Sequence, residues 1–223
     1  MRIFVGSKDS IVMADNYLER CEAEVAGNRK KVIVRRNPSL DTLLHRNRSY
    51  RGYDPSREVT ERELREIVSV NTLIASGMNR QRLRFRLVTG EASKKVLPLI
   101  TLGGALPEEH LPKPGKEPGA FIVVCSTDPE DRVVDIDLGF AAQSMLLKAC
   151  DMGLGGIFVL NFRWEALKEA LSLPLAPLAV IAIGKPAESI FLKPVSGDAP
   201  DLRYYRREGV HYVPKLVVEE ILV

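Results

Sequence analysis

Hydrophobic positions along the chain recur with two periods, and the switches between them divide it into elements. Leu64, Ile67, Val68 and Ile74 fall near one helical stripe, opened by a capping box of Thr60 with Glu63 and closed around Ala75-Ser76-Gly77. Leu83, Phe85 and Leu87 alternate with Arg84 and Arg86, the period-two pattern of a strand. Ala120 to Cys125 and Leu178 to Ile183 are continuous apolar runs, suited to strands buried on both faces. Between them Leu138, Ala141, Ala142, Met145, Leu146 and Ala149 recur every three or four residues. This pattern predicts a long helix capped by Asp137 and stopped at Gly153.

Weaker signals complete the order. A short helix is expected from Ser39-Leu40-Asp41 to about Arg46, followed by the polar and aromatic loop Asn47 to Tyr53. Further helices are expected over Ser93–Thr101 and Arg163–Leu171, and a strand over Ile157–Leu160. Residues 102–118 read as a Gly/Pro-rich loop. Met13 to Ala26 is helix-compatible with a thin apolar face. We therefore divide the chain into an N-terminal extension, 1–38, and a domain, 39–223. Tyr204 to Val223 carries apolar residues in extended patterns, a tail of the kind that wraps a partner. Helices alternating with a few short strands predict an α+β fold, a small mixed sheet flanked by helices.

Composition narrows the function. The chain has 223 residues, enough for one good core, with 45% hydrophobic and 27% charged residues, as in an ordinary globular protein. A net charge of +3, from 32 basic and 29 acidic residues spread along the chain, gives no footprint for nucleic acid. No apolar run approaches the roughly 20 residues that span a bilayer. Cys21, Cys125 and Cys150 form no CxxC pair and read as reduced thiols, so a cytoplasmic setting is expected. His45, His110 and His211 lack ligand spacing, which argues against zinc.

The candidate chemistry is scattered. Arg48-Ser49-Tyr50-Arg51 offers two guanidiniums and a hydroxyl to a phosphate, though arginines in a polar loop are commonly just solvated. Asn79 and Gln81 carry amides that both donate and accept, matching the edge of a flavin or a base; alone they read as turn residues. Gly153-Leu154-Gly155-Gly156 lies after a helix and before a strand, the reverse of a dinucleotide-binding loop. Gly155 and Gly156 either ease entry into that strand or let a flat ring approach the backbone. Cys125, Cys150 and Trp164 read as packing residues, and no G-x-S-x-G elbow is present.

Taken in order, these stretches resemble the nitroreductase family from about Leu40 onward. Asn47-Arg48-Ser49-Tyr50-Arg51 with Tyr53 is similar to its R-R-S-x-R-x-F phosphate motif. Ala75-Ser76-Gly77-Met78-Asn79-Arg80-Gln81 is similar to P-S-x-x-N-x-Q-P, and Asp137 to Gly156 to the central helix and its G-L-G turn. Gly209-Val210-His211-Tyr212-Val213-Pro214-Lys215 resembles a stretch of a less studied branch of putative nitroreductases. The sequence departs from the pattern at Asn47, Ala75 and Arg82.

The resemblance implies a three-layer fold, an intertwined homodimer and FMN at the subunit interface. It places Arg48, Ser49, Arg51 and Lys215 at the phosphate end, Asn79 on the ring with Gln81 supporting it, and the backbone from Gly155 and Gly156 to Leu160 along the flavin edge. The implied activity is hydride transfer from NADH or NADPH through flavin N5 to a nitroaromatic, quinone or other small-molecule acceptor. The rival readings are a protein that stores, senses or degrades flavin, and one that keeps the fold without the cofactor.

Overall fold

A computed structural model describes residues 38–104, 106–197 and 200–223. The helix expected over Met13–Ala26 lies outside the described residues. The described chain begins with a short helix, α1 (Leu40–Arg46), capped by the Ser39 hydroxyl, which accepts the Thr42 N–H at 3.2 Å. Helix α2 (Glu61–Ser69) opens on the expected capping box. The Thr60 hydroxyl accepts from Glu63 N–H at 3.2 Å, and the Glu63 carboxylate accepts from Thr60 N–H at 2.9 Å.

The main sheet has four strands, β1 (Leu83–Val88), β2 (Ala120–Ser126), β3 (Gly155–Val159) and β4 (Ala176–Gly184), in the order β1-β2-β4-β3. Every pairing in it is antiparallel. Antiparallel sheets commonly leave one face wet. Here both faces are covered, which is why β2 is buried at every position. Ile122, Val124, Ile181 and Ile183 pack on one side against Leu64 and Ile67 of α2 and against Leu138 and Met145 of the long helix α4 (Arg132–Asp151). Phe121, Val123, Val180 and Ala182 pack on the other against Val96 of α3 (Ser93–Val96) and Leu167 of α5 (Trp164–Ala170). The result is the three-layer arrangement of helix, sheet and helix.

Two expectations are corrected. The long helix starts at Arg132, one and a half turns before Asp137, because the Asp131 carboxylate accepts from the N–H groups of Val133 and Val134, both at 2.8 Å. Asp137 is an interior residue, buried, and it serves the neighbouring loop described below. The helix expected over Ser93–Thr101 is α-helical only to Val96 and continues as a 3₁₀ turn over Leu97–Leu99, with Pro98 inside it.

The tail forms a second sheet that the sequence pattern did not show in full. Strand β7 (Val210–Leu216) runs parallel to β5 (Ser189–Val195) and antiparallel to β6 (Tyr205–Arg207), in the order β5-β7-β6. Among the described strands the parallel pairing is therefore here, outside the main sheet. β5 escaped detection because exposed and half-buried positions alternate along it and Pro194 interrupts it.

Candidate functional site

The loop after α1 is fixed from three directions. Ser49 forms a parallel bridge with Gly156 at the start of β3, where Tyr50 N–H donates to the Gly156 carbonyl at 3.2 Å. Tyr53 is 1% exposed and its hydroxyl donates to the Tyr50 carbonyl at 2.8 Å. The Glu188 carboxylate accepts the N–H groups of Arg51 and, at 3.1 Å, of Gly52. Each side-chain contact satisfies a backbone group that an irregular loop leaves open.

This bracing turns Arg48 and Arg51 into one cavity of about 370 Å³, where Lys215 of β7 meets them. Ser49, His211 and Tyr204 also line it, and no carboxylate does among the described residues. Arg51 is 8% exposed; its guanidinium donates to the Ser49 carbonyl at 2.9 Å and lies 4.9 Å from the Tyr204 ring centre. Arg48 donates to the Leu44 carbonyl. Yet Arg48 Nε, Arg51 Nε and His211 Nδ1 are buried without a hydrogen-bond partner among the described residues. Three cations facing one cavity without a carboxylate among the described lining residues make a surface that can hold an anion. Burial lowers the Arg48 pKa from its usual value. It also lowers that of His211, helped by the nearby Arg51 and Arg206, so the imidazole favours its neutral form.

His211 was not singled out as a ligand residue by its sequence. A lone histidine carries no local signal, and its neighbours Arg51 and Tyr204 reach it only through the fold. Its place before Tyr212 and Pro214 in the tail motif was the available hint.

Asn79 and Gln81 belong to a different part of the molecule. They sit on the turn between α2 and β1, exposed, with the Gln81 amide donating to Asn79 Oδ1 at 3.1 Å. Gly77 N–H donates to Asp137 Oδ1 at 2.8 Å, and a Cβ at Gly77 would stand 2.2 Å from Val133 Cγ1. The turn is thus pressed on α4, where a side chain at Gly77 would force Val133 to move. Met78, Asn79 and Gln81 all adopt positive φ, at 51°, 53° and 49°. Each left-handed non-glycine residue costs on the order of 1 kcal/mol. Neither amide lines the cavity that holds Arg48 and Arg51. Arg82, where the family pattern has proline, is buried and pairs with Asp131 at 3.0 Å, tying β1 to the start of α4.

The glycine pair has a packing explanation. A Cβ at Gly155 would meet the Tyr50 ring and Pro186 at 2.7 Å, and one at Gly156 would lie 2.3 Å from the Ala182 carbonyl. The space beside Gly155 is thus filled by Tyr50 of the loop after α1 and by Pro186, and that beside Gly156 by β4. Leu160 follows β3 and is 64% exposed. Trp164, expected to pack, is 51% exposed at the start of α5. Burial pushes the Cys125 thiol up to about 11, which keeps it protonated at neutral pH. The described residues contain no group of metal-ligating side chains and no helix long and apolar enough to cross a membrane.

Comparison with known proteins places this architecture. A putative nitroreductase from Desulfovibrio desulfuricans, solved with FMN, is 24% identical with a TM-score of 0.54, over 69% of this chain and 88% of its own. A nitroreductase family protein from Streptococcus pneumoniae TIGR4 is 17% identical with a TM-score of 0.57, over 73% and 96%. A variant of the FMN- and NADPH-dependent nitroreductase NfnB from Sphigopyxis sp. strain HMH is 17% identical with a TM-score of 0.58, over 67% and 88%. No curated protein matches the sequence. The profile of the Nitroreductase family matches residues 44–185, from the last turn of α1 to just beyond β4, and so covers the braced loop, the Asn79 turn and the entire main sheet: the chain belongs to that family.

Proposed function

We propose that the protein is an FMN-dependent oxidoreductase, drawing on NADH or NADPH and passing electrons to a nitroaromatic, a quinone or another small acceptor. The observation that carries this reading is the cavity where Arg48, Arg51 and Lys215 meet without a carboxylate among the described lining residues. Their spare donors fit a phosphate, and the Ser49 hydroxyl adds a group that both donates and accepts. Bound FMN would supply the redox chemistry, accepting a hydride at N5 and releasing electrons to the acceptor.

What the chain contributes is position. The braced loop holds the cations without further reorganisation, so a phosphate binds to a surface already formed. His211, kept neutral by burial, has an N–H to offer a phosphate oxygen. Asn79, supported by Gln81, would address the ring, and the stretch from Gly155 and Gly156 to the exposed Leu160 would follow its edge. Asn79 and Gln81 do not line the cation cavity, which supports a homodimer in which two chains complete each site. Ile136 and Phe140, one turn apart on α4 and 45% and 51% exposed, with Leu40 and Leu44 of α1 at 62% and 41%, offer the apolar surface for it. The same reading places the protein in the cytoplasm, with Cys125 and Cys150 as buried, unbridged thiols.

The test is the visible spectrum of the purified protein with FMN, followed anaerobically on adding NADPH or NADH. A flavin spectrum that bleaches with either donor supports the reading. A flavin that binds and does not bleach favours storage or sensing of flavin, and a protein that ignores FMN overturns both.

A further inference from the structure

The register of the smaller sheet sets a row of side chains on one face. His211 of β7 stands opposite Ile190 of β5 and opposite Arg206 of β6. Alternation along β7 carries Lys215 to the same face as His211, and both line the cavity described above. Arg206 instead lines a second cavity, of about 470 Å³, together with Arg51, Lys113, Lys116 and Glu188. Arg51 is common to both, so the two cavities lie side by side along one row of cations.

Charge in the second cavity is out of balance. Four cations face a single carboxylate, and that carboxylate is already engaged: Glu188 accepts two backbone N–H groups through Oε1 and the Arg206 guanidinium through Oε2. Lys113 lies 3.4 Å from Glu109 in a largely exposed pair, which solvent screens. Lys116 has no ion-pair partner among the described residues. Arg206 Nε and Arg51 Nε are buried and unpartnered. Solvated surface lysines alone would mean little. Two arginines and two lysines around one carboxylate that is already engaged leave an excess of positive charge in a concave cleft, which suits an anion.

We propose that this second cavity is a phosphoryl-binding subsite, placed to take a second phosphate beside the one held by Arg48, Arg51 and Lys215. Lys113 and Lys116 supply mobile point charges at its mouth, while Arg206, oriented by Glu188, and Arg51 form its fixed wall. The second phosphoryl group has two possible sources. It is either joined to the first, as in the diphosphate of FAD, or carried by a separate molecule. The inference stands beside the FMN reading and does not depend on it.

The experiment compares wild type with Lys113→Ala/Lys116→Ala, two exposed positions whose loss leaves the core intact. Isothermal calorimetry measures FMN and FAD binding to the flavin-free protein, and inorganic pyrophosphate binding to the protein with and without FMN. A joined group is expected to make FAD bind at least tenfold tighter than FMN, with the gain erased in the double variant and FMN affinity changed less than twofold. A separate group is expected to show as pyrophosphate binding to the FMN-loaded protein, weakened at least tenfold in the double variant. The proposal is overturned if FAD gains nothing over FMN and pyrophosphate does not bind, or if both the FAD gain and pyrophosphate binding are indifferent to the two lysines. A protein that takes up no FMN would sink the oxidoreductase reading, while its pyrophosphate titration would still decide this one.

Discussion

The loop that carries Arg48 and Arg51 and the turn that carries Asn79 and Gln81 are both short, irregular and rich in polar side chains, yet they are built in opposite ways. The first is welded to the main sheet at Gly156, buried over Tyr53, and closed by Glu188 and by the tail. The second is exposed and stands in a left-handed conformation at three non-glycine positions, held chiefly by the contact of Gly77 with Asp137. On the proposed reading, a site that grips a compact charge gains from walls on every side, and a site that addresses a flat ring stays open until the ring and a second chain arrive. The two can be told apart by where their donors are satisfied.

The comparison breaks most sharply at the cations. Arg48→Ala with Arg51→Ala should weaken FMN binding on the order of 100-fold or more, since each charge-assisted hydrogen bond is worth about 1.5–3 kcal/mol. Fluorescence titration of FMN measures it, and a loss under tenfold would remove the phosphate assignment. Gly156→Ala comes next. Its Cβ would sit 2.3 Å from a main-chain oxygen of β4, so a destabilisation of about 3 kcal/mol is expected from urea unfolding. Unchanged stability there would mean that β3 packs less closely on β4 than this contact implies.

Asn79→Ala should cost less, about fivefold in FMN affinity for one lost neutral hydrogen bond of about 1 kcal/mol. Its effect should appear only in the dimer, which light scattering alongside the titration can establish. A smaller effect still is expected with pH. Burial, Arg51 and Arg206 hold the folded His211 below its ordinary value of about 6.5, with Glu188 and Glu109 opposing them more weakly. The unfolded chain therefore binds more protons as pH falls through 6.5, and stability should drop on acidification. The urea midpoint should fall more between pH 7.5 and 5.5 in wild type than in His211→Gln, and FMN should reduce the fall by favouring the imidazolium. The smallest change is Met78→Gly, which relieves a positive φ and should raise stability by about 0.5 kcal/mol while leaving the cation cavity untouched.

What the sequence made legible follows the reach of its signals. The capping box at Thr60 and Glu63 and the apolar runs of β2 and β4 are local patterns, and the structure contains them as read. Asp137 misled because an acidic residue before an apolar stripe has the form of a cap, whereas the true cap, Asp131, precedes a turn with fewer apolar residues. Arg48, Ser49, Arg51 and Lys215 were brought together by resemblance, since nothing local joins a loop after α1 to a strand in the tail. His211, Arg206 and Glu188 stayed hidden because their meaning rests on the register of β5, β6 and β7. That register becomes visible only when three unremarkable polar segments pair.

The hydrogen bond from Tyr50 N–H to the Gly156 carbonyl makes the amide of an outlying loop part of the central sheet's own ladder. In heavy water that amide should therefore keep its proton as long as the amides of β2 and β4 do, exchanging only when the whole sheet opens. The amides of Asn79 to Gln81, bonded only within their own exposed turn, should lose theirs far sooner. Part of the anion grip would then share the lifetime of the folded domain itself, and the ring-side contacts would be remade each time a ligand is bound.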